Sequence, residues 1–154
     1  MLRKFIAFAF LLVVAASCQE DDAIDYGPID QKIIEDYIAE KGITGAQSTA
    51  SGLYYVIEKP GGEVHPTKTS FVSVNYQGFL TDGTLFDTSY KLGKPYSQFL
   101  TSLVVGWQEG VPFIGVGGKI KLLIPSELGY GSEAAGLIPA NSVLIFDIEL
   151  IDFY

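Results

Sequence analysis

Apolar and polar residues follow two different rhythms along this 154-residue chain. Before residue 50 the rhythm is helical. Ile33, Ile34, Tyr37 and Ile38 fall on one face of QKIIEDYIAEKG, the spacing of an amphipathic helix. Asp30 reads as its N-cap and Gly42 as its C′ residue. From Leu53 the period changes to two, the alternation of a half-buried strand. LYYVI (53–57) reads as a strand and PGG (60–62) as a turn. FVSVNYQG (71–78) puts Val72, Val74 and Tyr76 on one face, TDG (81–83) is a tight turn, and TLFDTS (84–89) is a short strand. In KIKLLIP (119–125), Lys119 and Lys121 point out while Ile120, Leu122 and Ile124 point in. VLIFDIELIDF (143–153) alternates again, with Leu144, Phe146, Ile148 and Leu150 on one face.

Helical signal is sparse after Leu53. VGWQEGVPFIGV (105–116) holds about two turns before a glycine-rich exit. These elements predict an α+β domain: an antiparallel sheet with one polar and one apolar face, covered by one short helix. Residues 42–52 are rich in Gly, Ser, Thr and Ala and read as linker. GYGSEAAGLIPANS (129–142) carries neither period. A stretch of that length inside a compact domain is functional or disordered. Tyr130, Leu137 and Ile138 within it argue for a pocket wall.

The N-terminus is set apart by composition. Arg3 and Lys4 precede a 13-residue apolar run from Phe5 to Ser17. A membrane-spanning helix needs roughly 20 residues, so the run reads as a signal for export. It ends in VAASC, and Cys18 is the only cysteine. The arrangement resembles a bacterial lipoprotein signal in which Cys18 becomes the acylated N-terminus, although Ala15 stands where leucine is usual. The plainer reading is a leftover thiol in an ordinary signal sequence. Gln19, Glu20, Asp21 and Asp22 follow, as a solvated acidic linker or as a run resembling the surface-sorting tether of some Bacteroidetes lipoproteins. The resulting division is 1–17 signal peptide, 18–29 acidic tether, 30–52 short helix and linker, and 53–154 the main domain. Loss of Arg3 and Lys4 takes the formal net charge from −8 to −10. That charge disfavours nucleic acid as a partner.

Catalytic chemistry is thin. One His and one Cys supply no paired metal-ligand spacing, and no cofactor is expected. His65 lies in the turn-like EVHP and reads as exposed. GVGGK (115–119) lacks the spacing of a phosphate loop and reads as a turn into a strand. Six aromatic residues stand out instead: Tyr76, Phe86, Tyr96, Trp107, Tyr130 and Phe146. Together with the apolar loop they suggest a concave apolar pocket for a peptide. Gly106 and Gly110 flank Trp107 and let other groups come close, which favours a pocket floor. Asp87 follows Phe86, so alternation alone would turn it away from the pocket. A bulge or a strand end is needed to bring both to one rim. Its carboxylate is either a structural acceptor for a backbone or tyrosine donor, or a functional group.

Taken in order, VNYQGFLTDGTLFDTS, GKPYSQF, VVGWQEGV, KLLIPSELGYG and GLIPANSVLIFDIELI resemble the FKBP-type peptidyl-prolyl cis–trans isomerases over about residues 53–154. The resemblance implies a twisted antiparallel sheet wrapped around one short helix, with the active site between them. It implies Trp107 as the floor, and Tyr76, Phe86, Tyr96 and Phe146 as walls. Leu103 and Val104 precede the helix, Tyr130, Leu137 and Ile138 come from the long loop, and Asp87 is the acidic group at the pocket. It implies donation to the substrate carbonyl by the Tyr130 hydroxyl and the Ile138 amide. Three departures accompany it. Leu92 stands where many members carry an arginine that pairs with the aspartate, leaving that pair absent or made by Lys91. The segment from Pro95 to Trp107 is about two residues short, and Tyr96 replaces a frequent phenylalanine. The implied partners are proline-containing polypeptides, the membrane through a lipid on Cys18, and macrolide inhibitors. The expected location is the outer membrane, on its periplasmic or surface face. A non-catalytic peptide-binding module or holdase is the alternative use of the pocket, and a lipoprotein dimerising through its N-terminal helix is a third reading.

Overall fold

The computed structural model describes residues 24–154; the expected signal segment, Cys18 and the acidic run lie outside the described residues. The described chain opens into a helix, α1 (Gly27–Glu40), with proline in its first turn, where a missing N–H is tolerated. Residues 27–29 therefore belong to the helix and not to the tether expected over 18–29. Asp30 is not the N-cap. It sits inside the first turn, fully buried, and its carboxylate is held by Ser126. Gly42 follows the helix with φ +62°, the left-handed conformation of a C′ residue.

Seven strands form one antiparallel sheet: β1 (Gln47–Ser48), β2 (Tyr54–Lys59), β3 (Phe71–Leu80), β4 (Leu85–Thr88), β5 (Tyr96–Phe99), β6 (Lys119–Ile124) and β7 (Leu144–Phe153). A second helix, α2 (Val105–Gly110), leads into a 3-10 turn at Val111–Phe113. The strand order is β1-β2-β6-β7-β3-β4, with β5 also on β3. Two strands were not expected. Residues 47–48 lie in the supposed linker and pair with Tyr54 and Tyr55. YSQF pairs along Phe71–Val74 of β3 as β5.

β4 and β5 share one edge of β3, with β4 against Gln77–Phe79 and β5 against Phe71–Val74. Tyr76 falls in the gap between them. Its N–H donates to Ser89 Oγ at 2.9 Å, and its carbonyl accepts from Thr88 Oγ1 at 3.0 Å. Two buried side chains thus supply what the ladder lacks on that edge, while on the other edge Tyr76 is in register with Ile148 of β7.

Both faces of the sheet carry core. On one, Val72, Val74, Ile120, Leu122, Ile124, Leu144, Ile148 and Leu150 pack with Trp107 and Val111. Gly106 and Gly110, one turn apart, let α2 lie directly on β6. A Cβ at Gly106 would come within 2.6 Å of Ile124, and one at Gly110 within 2.5 Å of Leu122. The other face is not polar throughout, as alternation suggested. Ile34 of α1, with Tyr37 and Ile38 against it, covers Leu123, Val143 and Ile145, while Ile33 stays exposed. Beyond the helix the face is polar, with in-register pairs Lys119–Glu149 and Lys121–Asp147.

Candidate active site

The close approach of α2 to the sheet leaves a hollow where the two diverge. Trp107 reaches it from α2, Tyr76 from β3, Phe86 and Asp87 from β4, Tyr96 from β5 and Phe146 from β7. Leu103 and Val104 enter just before α2, and Tyr130, Leu137 and Ile138 enter from the loop after β6. All eleven line one open cavity of about 420 Å³, together with Ser102, Ala135 and Gly136. The last three were not singled out from sequence. They are small, and nothing in their local pattern marks them.

The rings meet edge to face. Trp107 lies 5.1 Å from Tyr76 at 84° and 5.2 Å from Phe146 at 89°, between ring centroids. Phe86 meets Phe146 at 5.4 Å and 86°, and Tyr96 meets Tyr76 at 5.8 Å and 72°. This geometry is the favourable one for aromatic quadrupoles, and it fixes each ring by its neighbours. Trp107 is 4% exposed, and its Nε1–H meets no acceptor among the described residues, a burial that ordinarily costs about 1–3 kcal/mol. Gly78 is the silent member of the group. A Cβ there would come within 2.6 Å of Phe86 and 2.8 Å of Phe146, so both rings occupy the space its missing side chain leaves.

A register shift in the β3–β4 pairing between Gly78 and Phe79 supplies the irregularity needed for Phe86 and Asp87 to reach one rim. Both carboxylate oxygens of Asp87 are engaged: Tyr76 Oη–H donates to Oδ2 at 2.6 Å, and Thr88 N–H donates to Oδ1 at 2.8 Å. Among the described residues Asp87 makes no ion pair, with Lys91 or any other cation. Leu92 is exposed. The phenol of Tyr76 thus stands where an arginine partner was considered.

Burial, and then the hydrogen bond to Asp87, push the Tyr76 phenol well above its usual value of 10.0. Folding therefore favours the protonated phenol. Its contribution to stability is complete below about pH 10 and fades as pH rises through the unfolded value toward the folded one. Urea unfolding between pH 9 and 11 should show stability falling with pH, and Tyr76→Phe should flatten the slope. Some slope will remain, because Tyr54 and Tyr154 are also raised. An unchanged slope in Tyr76→Phe contradicts the assignment.

The loop over the cavity is ordered by its own turns. Ala135 and Ile138 exchange both backbone hydrogen bonds at 2.9 Å, across a two-residue turn in which Gly136 has φ +59°. This corrects one expectation: the Ile138 amide is already donated to Ala135 and is not free for a ligand. Ile138 is buried, while Leu137 at the turn's tip is 66% exposed. The N–H of Val104, just ahead of α2, has no acceptor among the described residues, as expected of the donors that begin a helix. Tyr130 is 43% exposed. His65 is exposed and bonds the Pro112 carbonyl through Nδ1, away from the hollow.

The sequence profile of the family described as FKBP-type peptidyl-prolyl cis-trans isomerase matches residues 62–151. Among curated proteins, the FKBP-type peptidyl-prolyl cis-trans isomerase FkpA of Buchnera aphidicola subsp. Schizaphis graminum is 55% identical over 109 residues, covering 70% of this chain and 43% of that protein. The crystal structure of FkpA from Escherichia coli matches with a TM-score of 0.74 at 41% identity, over 84% of this chain and 61% of that one. The crystal structure of a peptidyl-prolyl cis-trans isomerase from Pseudomonas syringae pv. tomato matches with a TM-score of 0.69 at 33% identity, over 85% of this chain and 98% of that one. The chain spans about half the length of the curated relatives it matches. The profile covers more than half of the chain, and the fold agrees along nearly the whole of a solved relative. On both grounds the chain belongs to the FKBP-type peptidyl-prolyl cis–trans isomerase family.

Proposed function

We propose that this protein accelerates rotation about X–Pro peptide bonds in exported polypeptides, and that the aromatic hollow floored by Trp107 is where it does so. The observation that carries the reading is the convergence of six rings from six segments on one cavity beside a single acidic group. Amide resonance makes the rotation barrier about 18–20 kcal/mol, and uncatalysed X–Pro exchange takes tens to hundreds of seconds. No bond is broken, so the reaction asks only for a site that binds the twisted amide better than either planar form. A twisted amide has lost resonance and charge separation. A dry apolar wall favours it over the ground states, and the rings hold the pyrrolidine in orientation. Tyr130 supplies a hydroxyl donor for the carbonyl before the rotating bond. With the Ile138 amide engaged in its own turn, the Val104 N–H takes the second donor role. A millionfold acceleration requires about 8 kcal/mol, a sum within reach of desolvation and a few hydrogen bonds. Macrolide binding at this hollow belongs to the same proposal. A protease-coupled assay on an X–Pro peptide tests it; exchange no faster than the uncatalysed rate rejects it.

Export and anchoring rest on residues 1–22 alone. Cys18 is read as the acylated residue that holds the domain at the outer membrane, and stable anchoring requires more than one acyl chain. Cys18→Ser should move the protein from the detergent phase to the aqueous phase. A wild-type protein already in the aqueous phase refutes the anchor.

A further inference from the structure

We infer that Asp30 of α1 is a positioning residue for the isomerase site: it holds Ser126, and through Ser126 it sets where Tyr130 stands. The inference rests on the reading above that Tyr130 donates to the substrate.

Tyr130 needs an external support. Its ring is substantially exposed, and its hydroxyl has no partner among the described residues, so backbone alone fixes its place. That backbone is gripped on both sides by one atom. The Ser126 carbonyl accepts from Gly129 N–H at 2.9 Å and from Gly131 N–H at 2.8 Å. The two donors bracket Tyr130. Ser126 is itself held from the far side of the sheet. Asp30 Oδ2 accepts from Ser126 N–H at 2.7 Å and from Ser126 Oγ–H at 2.6 Å. Gripping both the amide and the hydroxyl fixes the Pro125–Ser126 peptide plane and the Ser126 side chain on either side of the Cα from which the carbonyl reaches the turn.

Helix docking does not explain this carboxylate. Ile34 already packs α1 against Leu123 and Ile145. Asp30 is fully buried, and its Oδ1 has no partner among the described residues. A buried carboxylate satisfied on one oxygen is a poor way to gain stability compared with an apolar residue. What a charge-assisted pair of hydrogen bonds adds is direction. The N-terminal helix, which contributes no residue to the cavity lining, thereby completes the catalytic loop.

The test measures isomerase kinetics of the full chain at 10 °C, where every variant is first shown to be folded. Asp30→Ala should lower kcat/KM about fivefold, mainly through kcat, and should move the NMR amide signals of Gly129 and Gly131. In a Tyr130→Phe background the same substitution should cost nothing further. Asp30→Asn, which keeps an acceptor toward Ser126, should recover most of the loss. Ile34→Ala loosens the helix and lowers Tm, but should leave kcat/KM and those two signals in place. If Asp30→Ala does not fold, Ser126→Ala carries the test, with about a twofold loss expected that disappears in Tyr130→Phe. A depressed Tyr130→Phe beside an unaltered folded Asp30→Ala or Ser126→Ala overturns the inference alone. Equal losses in both backgrounds also overturn it. An unaltered Tyr130→Phe overturns the role given to Tyr130 and the inference with it.

Discussion

Replacing Trp107 and Phe146 together by alanine is expected to lower kcat/KM for an X–Pro peptide by about a hundredfold, roughly 2.7 kcal/mol of transition-state stabilisation. The two rings are 4% and 5% exposed and meet at 5.2 Å. One is the floor, and the other is the wall against which Phe86 and Tyr76 lean. Their loss admits water to the surface that has to favour a less polar transition state, and it frees the remaining rings to move. Each truncation also costs stability, about 3–5 kcal/mol for a buried aromatic. That is a large share of the roughly 5–15 kcal/mol a domain has. The check therefore pairs kinetics with a thermal scan, and the milder Trp107→Leu serves if the double variant unfolds. A folded variant that turns over like wild type contradicts the account of the floor.

Gly78→Ala is the second large effect, at a residue without a side chain. Its Cβ would meet Phe86 at 2.6 Å and Phe146 at 2.8 Å. These are ring atoms locked by an edge-to-face contact, so neither yields as a flexible chain end would. Overpacking of this kind costs about 1–3 kcal/mol, and relief requires one ring to swing into the cavity. Activity should fall about tenfold, and more than the stability loss explains. Gly83→Ala is the comparison. It meets nothing within 4 Å but has φ +89°, so it should cost about 1–2 kcal/mol of backbone strain with turnover intact. Matching activity losses in the two variants would show that the rings are not what Gly78 protects.

The contrast between these glycines shows where sequence reading succeeds. Alternation located β2, β3, β6 and β7 because their inward residues are large and apolar, and β4 was read as the short run after the TDG turn. β5 escaped because YSQF is half exposed at a shared edge, where polar residues cost little. Asp30 looked like an N-cap because an acid ahead of an amphipathic run usually is one. Its partner Ser126 stands 96 residues away, beyond any local pattern. The apolar outer face of β6 and β7 was hidden for a related reason: Leu123 and Ile145 are ordinary strand residues until α1 is placed on them. The aromatic residues were legible by type and by their spacing in family-like motifs. What those motifs do not encode is the hydrogen-bond state of the loop. Whether the Ile138 amide is free depends on a turn closed by Ala135, and only the folded backbone decides it.

The central claim is that the hollow lowers the barrier between two planar amides and does not merely hold one of them. NMR exchange spectroscopy on an X–Pro peptide with a catalytic amount of the full chain separates the two. The account predicts faster cis-to-trans and trans-to-cis exchange by the same factor, an unchanged cis/trans ratio, and loss of the effect in Trp107→Ala/Phe146→Ala. Peptide signals that shift on binding while exchange stays at its uncatalysed rate would contradict it, and would leave a binding module in its place.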